Sequence, residues 1–122
     1  MDFQKKDAIY LQIADLMSER ILLKEWKEEN RIPSVRELAV DLEVNPNTVM
    51  RAYAFLQDQG IIFNKRGIGY FVSSDGLQIT RKLFRSNFVR NELPHLHRTL
   101  KLLDMDFEEF YSLFSNYQEK KE

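Results

Sequence analysis

Ile32-Pro33-Ser34-Val35-Arg36-Glu37-Leu38-Ala39, followed after a short gap by Val44-Asn45-Pro46-Asn47-Thr48-Val49-Met50-Arg51-Ala52-Tyr53, decides how this chain is read. Ser34 and Glu37 have the spacing of a capping box, in which each side chain accepts the other residue's backbone N–H. That spacing predicts a helix running to about Leu42, burying Val35, Leu38, Ala39 and Leu42. Glu43-Val44 makes the turn. Asn45 then caps a second helix, and Pro46 takes its first position, where a missing N–H costs nothing. Val49, Ala52, Tyr53 and Leu56 recur at i, i+3, i+4 and i+7, a buried stripe, and Gly60 ends the helix. Two capped helices joined by a tight turn, the second opening on small polar groups and an arginine, form the layout a major-groove reader needs.

Upstream, residues 7–24 read as an amphipathic helix. Tyr10, Ile13, Ala14, Met17 and Ile21 lie on one face, and Asp7 stands where an N-cap belongs. Trp26 lids the core, and Lys27-Glu28-Glu29-Asn30 reads as a solvated loop. After Gly60 the period changes. Ile61-Ile62-Phe63-Asn64 and Tyr70-Phe71-Val72-Ser73 are rich in strand formers and flank Lys65-Arg66-Gly67-Ile68-Gly69, which predicts a β-hairpin with a basic, glycine-bearing tip. Helix, helix, helix, hairpin is the order of a winged helix-turn-helix. Residues 1–74 are therefore expected to form a DNA-binding domain of that kind, with Ser74-Asp75-Gly76 as a linker.

Residues 77–119 read as a helical segment. Leu77, Leu83, Phe84, Phe88, Leu93, Leu96, Leu100 and Leu103 give its period, and Pro94 predicts a kink or a break near residues 92–94. Asp104 or Asp106 caps a last helix carrying Phe107, Phe110, Tyr111, Leu113, Phe114 and Tyr117. Residues 118–122 should fray. These apolar faces exceed what a lone helical hairpin can hide, so the segment is expected to pair with a second copy. The fold class is mainly α with a small β-hairpin wing, followed by a helical dimerisation segment.

Composition narrows the function. The chain has 122 residues, 43% of them hydrophobic, which is enough for a core. It has no cysteine, so disulfides and thiolate metal sites are absent. No signal-peptide h-region and no membrane-length apolar run is visible, and a cytoplasmic protein is the expectation. The formal net charge of −1 hides a basic stretch, Arg81, Lys82, Arg85, Arg90, Arg98 and Lys101, followed by acidic Asp104, Asp106, Glu108 and Glu109. Only the charges on a docking face matter for phosphate binding. No nucleophile–base pair, phosphate loop or metal cluster is present, so no enzyme and no cofactor is expected. His95 and His97, two apart on a helix, point to different sides and do not make a metal site.

The candidate contacts to double-stranded DNA are few. Arg36, in the first turn of its helix, offers a planar fork for a phosphate or a guanine; as a solvated residue it would pair with Glu37 or Asp41. Asn47, Thr48 and Arg51 stand on the exposed side of the next helix, where Asn47 and Arg51 share a face; the bland reading is N-terminal capping polarity. Asn45 is a cap with an amide that could also reach a phosphate. At the hairpin tip, Lys65 and Arg66 add affinity, Arg66 by entering the minor groove, and Gly67 lets the backbone approach phosphates; the bland reading is a turn that needs glycine, with the two cations keeping an edge soluble.

In Ile32–Ala39, Val44–Val49, Arg51-Ala52-Tyr53 and the wing Arg66–Val72, the chain strongly resembles the GntR family of bacterial transcription regulators, from Ile9-Tyr10 through Val72. The Asn-Pro-Asn-Thr-Val turn and the short tail look like its YtrA-type subfamily. The resemblance implies a dimeric repressor on a palindromic operator. Residues 77–122 are too short for the ligand-binding or aminotransferase-like domain of longer members. Lys24 and Glu29 stand where the family often has glycine, which leaves the course of that loop open, and Met50 stands where a second arginine often falls. Whether the tail holds a small-molecule effector cannot be read from leucines. The alternative is a winged helix used for protein–protein contact without DNA, for which Met50 and Phe55 are the only apolar candidates on the third helix.

Overall fold

The computed structural model describes residues 8–118; Asp7 and residues 119–122, with the cap and the fraying expected of them, lie outside this range. The elements run α1 (Ile9–Leu22), α2 (Val35–Leu42), α3 (Pro46–Asp58), β1 (Ile62–Lys65), β2 (Gly69–Val72), α4 (Gly76–Asn87), a π-helical turn (Phe88–Glu92), α5 (Leu93–Leu102) and α6 (Phe107–Asn116). The chain forms two compact units that divide inside α4, one ending at Phe84 and the other starting at Arg85.

In the first unit, α1 and α2 both pack on α3. Ile13, Met17 and Ile21 of α1, Leu38 and Ala39 of α2, and Val49, Ala52, Tyr53 and Leu56 of α3 meet Ile61, Ile62 and Val72 in one core. Burying each large aliphatic side chain there contributes roughly 1.5–3 kcal/mol. The stripe expected on α3 is fully buried. β1 and β2 pair antiparallel, Ile62 opposite Val72 and Lys65 opposite Gly69. Residues 28–32 do not float as a loop. Glu28 bridges Val72, Arg31 bridges Phe71, and Ile32 N–H donates to the Tyr70 carbonyl at 2.9 Å, so this segment flanks the hairpin.

Tyr53 closes a circuit. Its hydroxyl donates to the Pro33 carbonyl at 2.5 Å. Its ring meets Tyr70 edge-on at 4.8 Å, and Tyr70 accepts from Ile32, the neighbour of Pro33. Burial pushes the Tyr53 phenol well above the ordinary tyrosine range, so the donor proton stays in place.

The helix ends follow one pattern. Glu25, Val44, Ile61 and Met105 each donate to the carbonyl five residues back. The residue before each donor is left-handed: Lys24 (φ 65°), Glu43 (φ 57°), Gly60 (φ 82°) and Asp104 (φ 56°). Lys24 and Glu29 (φ 74°) thus take the backbone region that glycine favours, and the loop keeps a glycine-like course while carrying side chains.

Two expectations change. Gly76 is no linker: it opens α4 and is buried, and a Cβ there would come within 2.6 Å of the Ile61 carbonyl oxygen. Glycine at that point permits a close approach rather than a flexible joint. The break near Pro94 is a widened turn. Pro94 cannot donate to the Arg90 carbonyl and crowds it, and the helix relaxes into the π turn, where Asn91 donates to Asn87 Oδ1 at 2.6 Å.

Among the described residues of the second unit none is buried. Asp106, not Asp104, caps α6 by accepting from Glu109 N–H at 2.9 Å. Phe107 meets Phe110 and Tyr111 at a tilt, and Phe110 stacks on Phe114. Phe107, Tyr111, Leu113, Phe114 and Tyr117 remain more than half exposed.

Candidate nucleic-acid interface

The capping box forms as the sequence predicts. Ser34 N–H donates to Glu37 Oε1 at 2.8 Å and Glu37 N–H to Ser34 Oγ at 3.0 Å. The Ser34 backbone N–H foremost, then the Ser34 side chain and the positive charge of Arg31, hold the Glu37 carboxyl below the usual glutamate range. Glu37 is thus engaged by Ser34, and Arg36, one residue earlier in the first turn of α2, is exposed.

Ser34→Ala is expected to cost about 1 kcal/mol of stability at neutral pH, measured by urea unfolding. The lowered Glu37 pKa sets the pH dependence. Its contribution is present above the unfolded glutamate value and is lost as pH falls through the folded one. The gap between the two proteins should therefore narrow in acid.

Asn45 caps α3, its Oδ1 accepting from Asn47 N–H at 2.7 Å, with Pro46 at the first position. The positive dipole end of α3 is thus presented near Asn45, Asn47 and Thr48, its first N–H groups already engaged: Asn47 N–H donates to Asn45 Oδ1, and Thr48 and Val49 N–H to the Asn45 carbonyl at 3.0 and 3.2 Å. Asn47 and Arg51 are exposed together on one face, whereas Thr48 is half-buried rather than on the open side. Residues at i, i+3, i+4 and i+7 from Asn47 form a complete outward stripe: Asn47, Met50, Arg51 and Ala54, all exposed. Met50 and Ala54 were legible as the complement of the buried stripe, although polarity alone passes them over. Arg51 lays its guanidinium over the Tyr10 ring, 4.1 Å from the centroid.

At the wing, Ile68 N–H donates to the Lys65 carbonyl at 2.8 Å and Gly67 lies at φ 80°, the left-handed position such a turn requires. Arg66, Gly67 and Ile68 are exposed at the tip. Lys65 places its ammonium 4.8 Å above the Phe71 ring. Arg31 is a cation that motif reading missed. Its side chain lies along Gly69 (φ 140°), where a Cβ would come within 2.7 Å of Arg31 Nε. Only the pairing of residues 28–32 with the hairpin brings it there.

The outward α3 stripe, the exposed first turn of α2 and the basic wing tip all belong to the first unit, and all are polar or cationic apart from Met50, Ala54 and Ile68. Among the described residues no group of three or more His, Cys, Asp or Glu is placed to hold a metal, and no helix is long and apolar enough to cross a membrane.

Comparison with known proteins extends these observations. The family described as "Bacterial regulatory proteins, gntR family" matches residues 9–72. The chain is 34% identical to the HTH-type transcriptional regulator YhcF of Bacillus subtilis (strain 168), over 96% of this chain and 95% of that protein. It is 32% identical to the HTH-type transcriptional repressor YtrA of the same organism, over 87% and 92%. A solved GntR-family regulator from Bacteroides thetaiotaomicron is 45% identical and superposes with a TM-score of 0.71, covering 88% of this chain and 94% of that one. The DNA-binding domain of AraR, solved in complex with an operator, is 28% identical with a TM-score of 0.51, covering 52% of this chain and 77% of that one.

Proposed function

We propose, for a chain that belongs to the gntR family of bacterial regulatory proteins and resembles YtrA within it, a homodimeric repressor that sets one α3 into each of two successive major grooves of a palindromic operator. Family membership makes the protein a DNA-binding transcriptional regulator, and its relatives are regulators rather than enzymes.

The observation that carries the reading is the outward stripe Asn47, Met50, Arg51 and Ala54, exposed opposite a fully buried face on a capped helix. Asn47 and Arg51 suit base edges, and Met50 and Ala54 suit thymine methyls. Arg36, Asn45 and Thr48 are assigned to the phosphates that fix register. Lys65, Arg66 and Gly67 are assigned to the wing's approach to the adjoining backbone and minor groove. The AraR domain bound to its operator supports DNA as the partner, and the YtrA relative supports repression.

Residues 1–74 are assigned to reading and residues 77–119 to pairing, with the start of α4, through Leu77 and Ile79, packed on the core of the reading part. Pairing is supported by the exposed Phe107, Tyr111, Phe114 and Tyr117 of α6. A two-fold dimer reads a two-fold site, about one helical turn between half-sites. Such a regulator works in the cytoplasm, where the bacterial chromosome lies.

The test is a gel shift of the full chain on duplexes that it selects from a random-sequence pool, with a salt series and unrelated competitor. Expected are a palindromic consensus and a complex that survives competitor but weakens steeply with salt. Arg51→Ala should weaken binding to the selected duplex about ten- to hundredfold, the worth of one bidentate base contact. Unchanged affinity in that variant would remove Arg51 from the reading face.

A further inference from the structure

We infer that Tyr10 is a positioning residue for DNA reading, holding Arg51 in its base-seeking orientation before the groove is met; this rests on Arg51 contacting DNA as proposed above. The ring belongs to α1, not to the helix that carries the arginine. It is half-buried and packs against the core, so the body of the protein fixes its plane. The Arg51 guanidinium sits 4.1 Å from its centroid, within the range of a cation–π contact.

The chemistry of the two contacts is compatible. The ring holds the guanidinium through its π face, with Arg51 Cζ lying over it. The N–H donors that would grip guanine O6 and N7 lie in the plane, along its edge, and remain free. Stacking therefore does not compete with base reading. It removes rotamers that a free, exposed arginine would lose on binding, when long side chains are immobilised. An arginine already held over the ring enters the groove with part of that ordering done. The benefit falls on the directional contact to a base. Attraction to the phosphate backbone depends on charge and not on the guanidinium's orientation, and it gains little. Tyr10 thereby acts on specificity through Arg51 while standing outside the recognition helix.

The test is a double-mutant cycle on the full chain, with the tightest duplex recovered from the random pool and an unrelated duplex of equal length as probes. Tyr10→Leu removes the π face and keeps apolar bulk; Tyr10→Phe keeps the ring. The expected result is that Tyr10→Leu weakens the selected duplex about three- to tenfold, the ordering cost of one long side chain that must then be met on binding. Binding of the unrelated duplex should stay unchanged, which also shows the variant folded, and Tyr10→Phe should match the wild type. In an Arg51→Ala background Tyr10→Leu should have no further effect. An equal loss with and without Arg51, or a parallel loss on both duplexes, would mean that Tyr10 acts through the fold or its own DNA contact. Full affinity in Tyr10→Leu beside a large Arg51→Ala loss would show that the stack does no positioning. Should Arg51→Ala itself leave the selected duplex unaffected, the reading-face assignment fails first and the role of Tyr10 falls with it.

Discussion

Aspartate at both Phe107 and Phe114 is expected to leave the protein monomeric and to lower its affinity for a two-half-site duplex about a hundredfold or more, the loss that follows when a linked second site is removed. The two rings are 69% and 67% exposed in the single chain. Tyr111, between them, is 60% exposed, and Leu102 and Leu103 just before α6 are 73% and 63% exposed. Each aromatic ring is worth roughly 150–250 Å² of burial, and a monomer rarely leaves a contiguous apolar patch of more than a few hundred Å² open. A carboxylate placed in such a contact would be desolvated without a partner, which strongly opposes association. Sedimentation should show the change in mass, and circular dichroism should show the helices retained. Affinity for a single half-site should stay close to that of the wild type. A double variant that still sediments as a dimer with its two-site affinity intact would place the pairing surface elsewhere.

Tyr53→Ala is the substitution expected to damage the fold most, by about 3–5 kcal/mol against a typical total of 5–15 kcal/mol. The side chain is fully buried, and its removal opens a cavity between α3 and the hairpin. It also strips the Pro33 carbonyl of its donor and Tyr70 of its edge contact. Tyr53→Phe loses only the hydroxyl and should cost about 1–3 kcal/mol, the penalty of leaving an acceptor unsatisfied. The single tryptophan, Trp26, packs against the core and serves as the fluorescence probe in urea titrations. Alkali gives a second check with a defined sign. The folded phenol holds its proton more tightly than the unfolded one. Its contribution is therefore complete below the ordinary tyrosine value of about 10 and fades as pH rises above it. Tyr53→Phe should lack that part of the alkaline loss. If Tyr53→Ala unfolded at the wild-type urea midpoint, the buried circuit would have no energetic weight.

What the sequence disclosed divides along physical lines. Local chemistry was legible: Ser34 with Glu37, Asn45 with Pro46, and the stripe from Val49 to Leu56 each depend on neighbours within two turns, so their spacing is their structure. The hairpin was found in its expected frame, with both strands one residue nearer the turn, Ile62–Lys65 and Gly69–Val72, because strand ends fade gradually in composition. Gly76 misled because glycine marks flexible joints and close approaches alike; only the Ile61 carbonyl beside it tells them apart. Pro94 announced trouble, but the missing N–H is resolved by backbone geometry a turn earlier, which no residue type spells out. At the site, the polar members of α3 were readable. The half-burial of Thr48, the ring under Arg51 and the path of Arg31 along Gly69 arise from residues far apart in the chain, and no spacing rule connects them.

The loop of contacts running Ile32, Tyr70, Tyr53, Pro33 has a consequence for the DNA rather than for the protein. It ties the hairpin, α3 and the lead-in to α2 to one another, so the distance between α3 and the hairpin is held fixed. When groove and reader do not match, the duplex must do the bending or narrowing. Sequences that deform at low cost are then favoured even at base pairs no side chain touches. Part of this protein's operator preference is thus expected to be written in the stiffness of its target, and to appear at the uncontacted centre of the site.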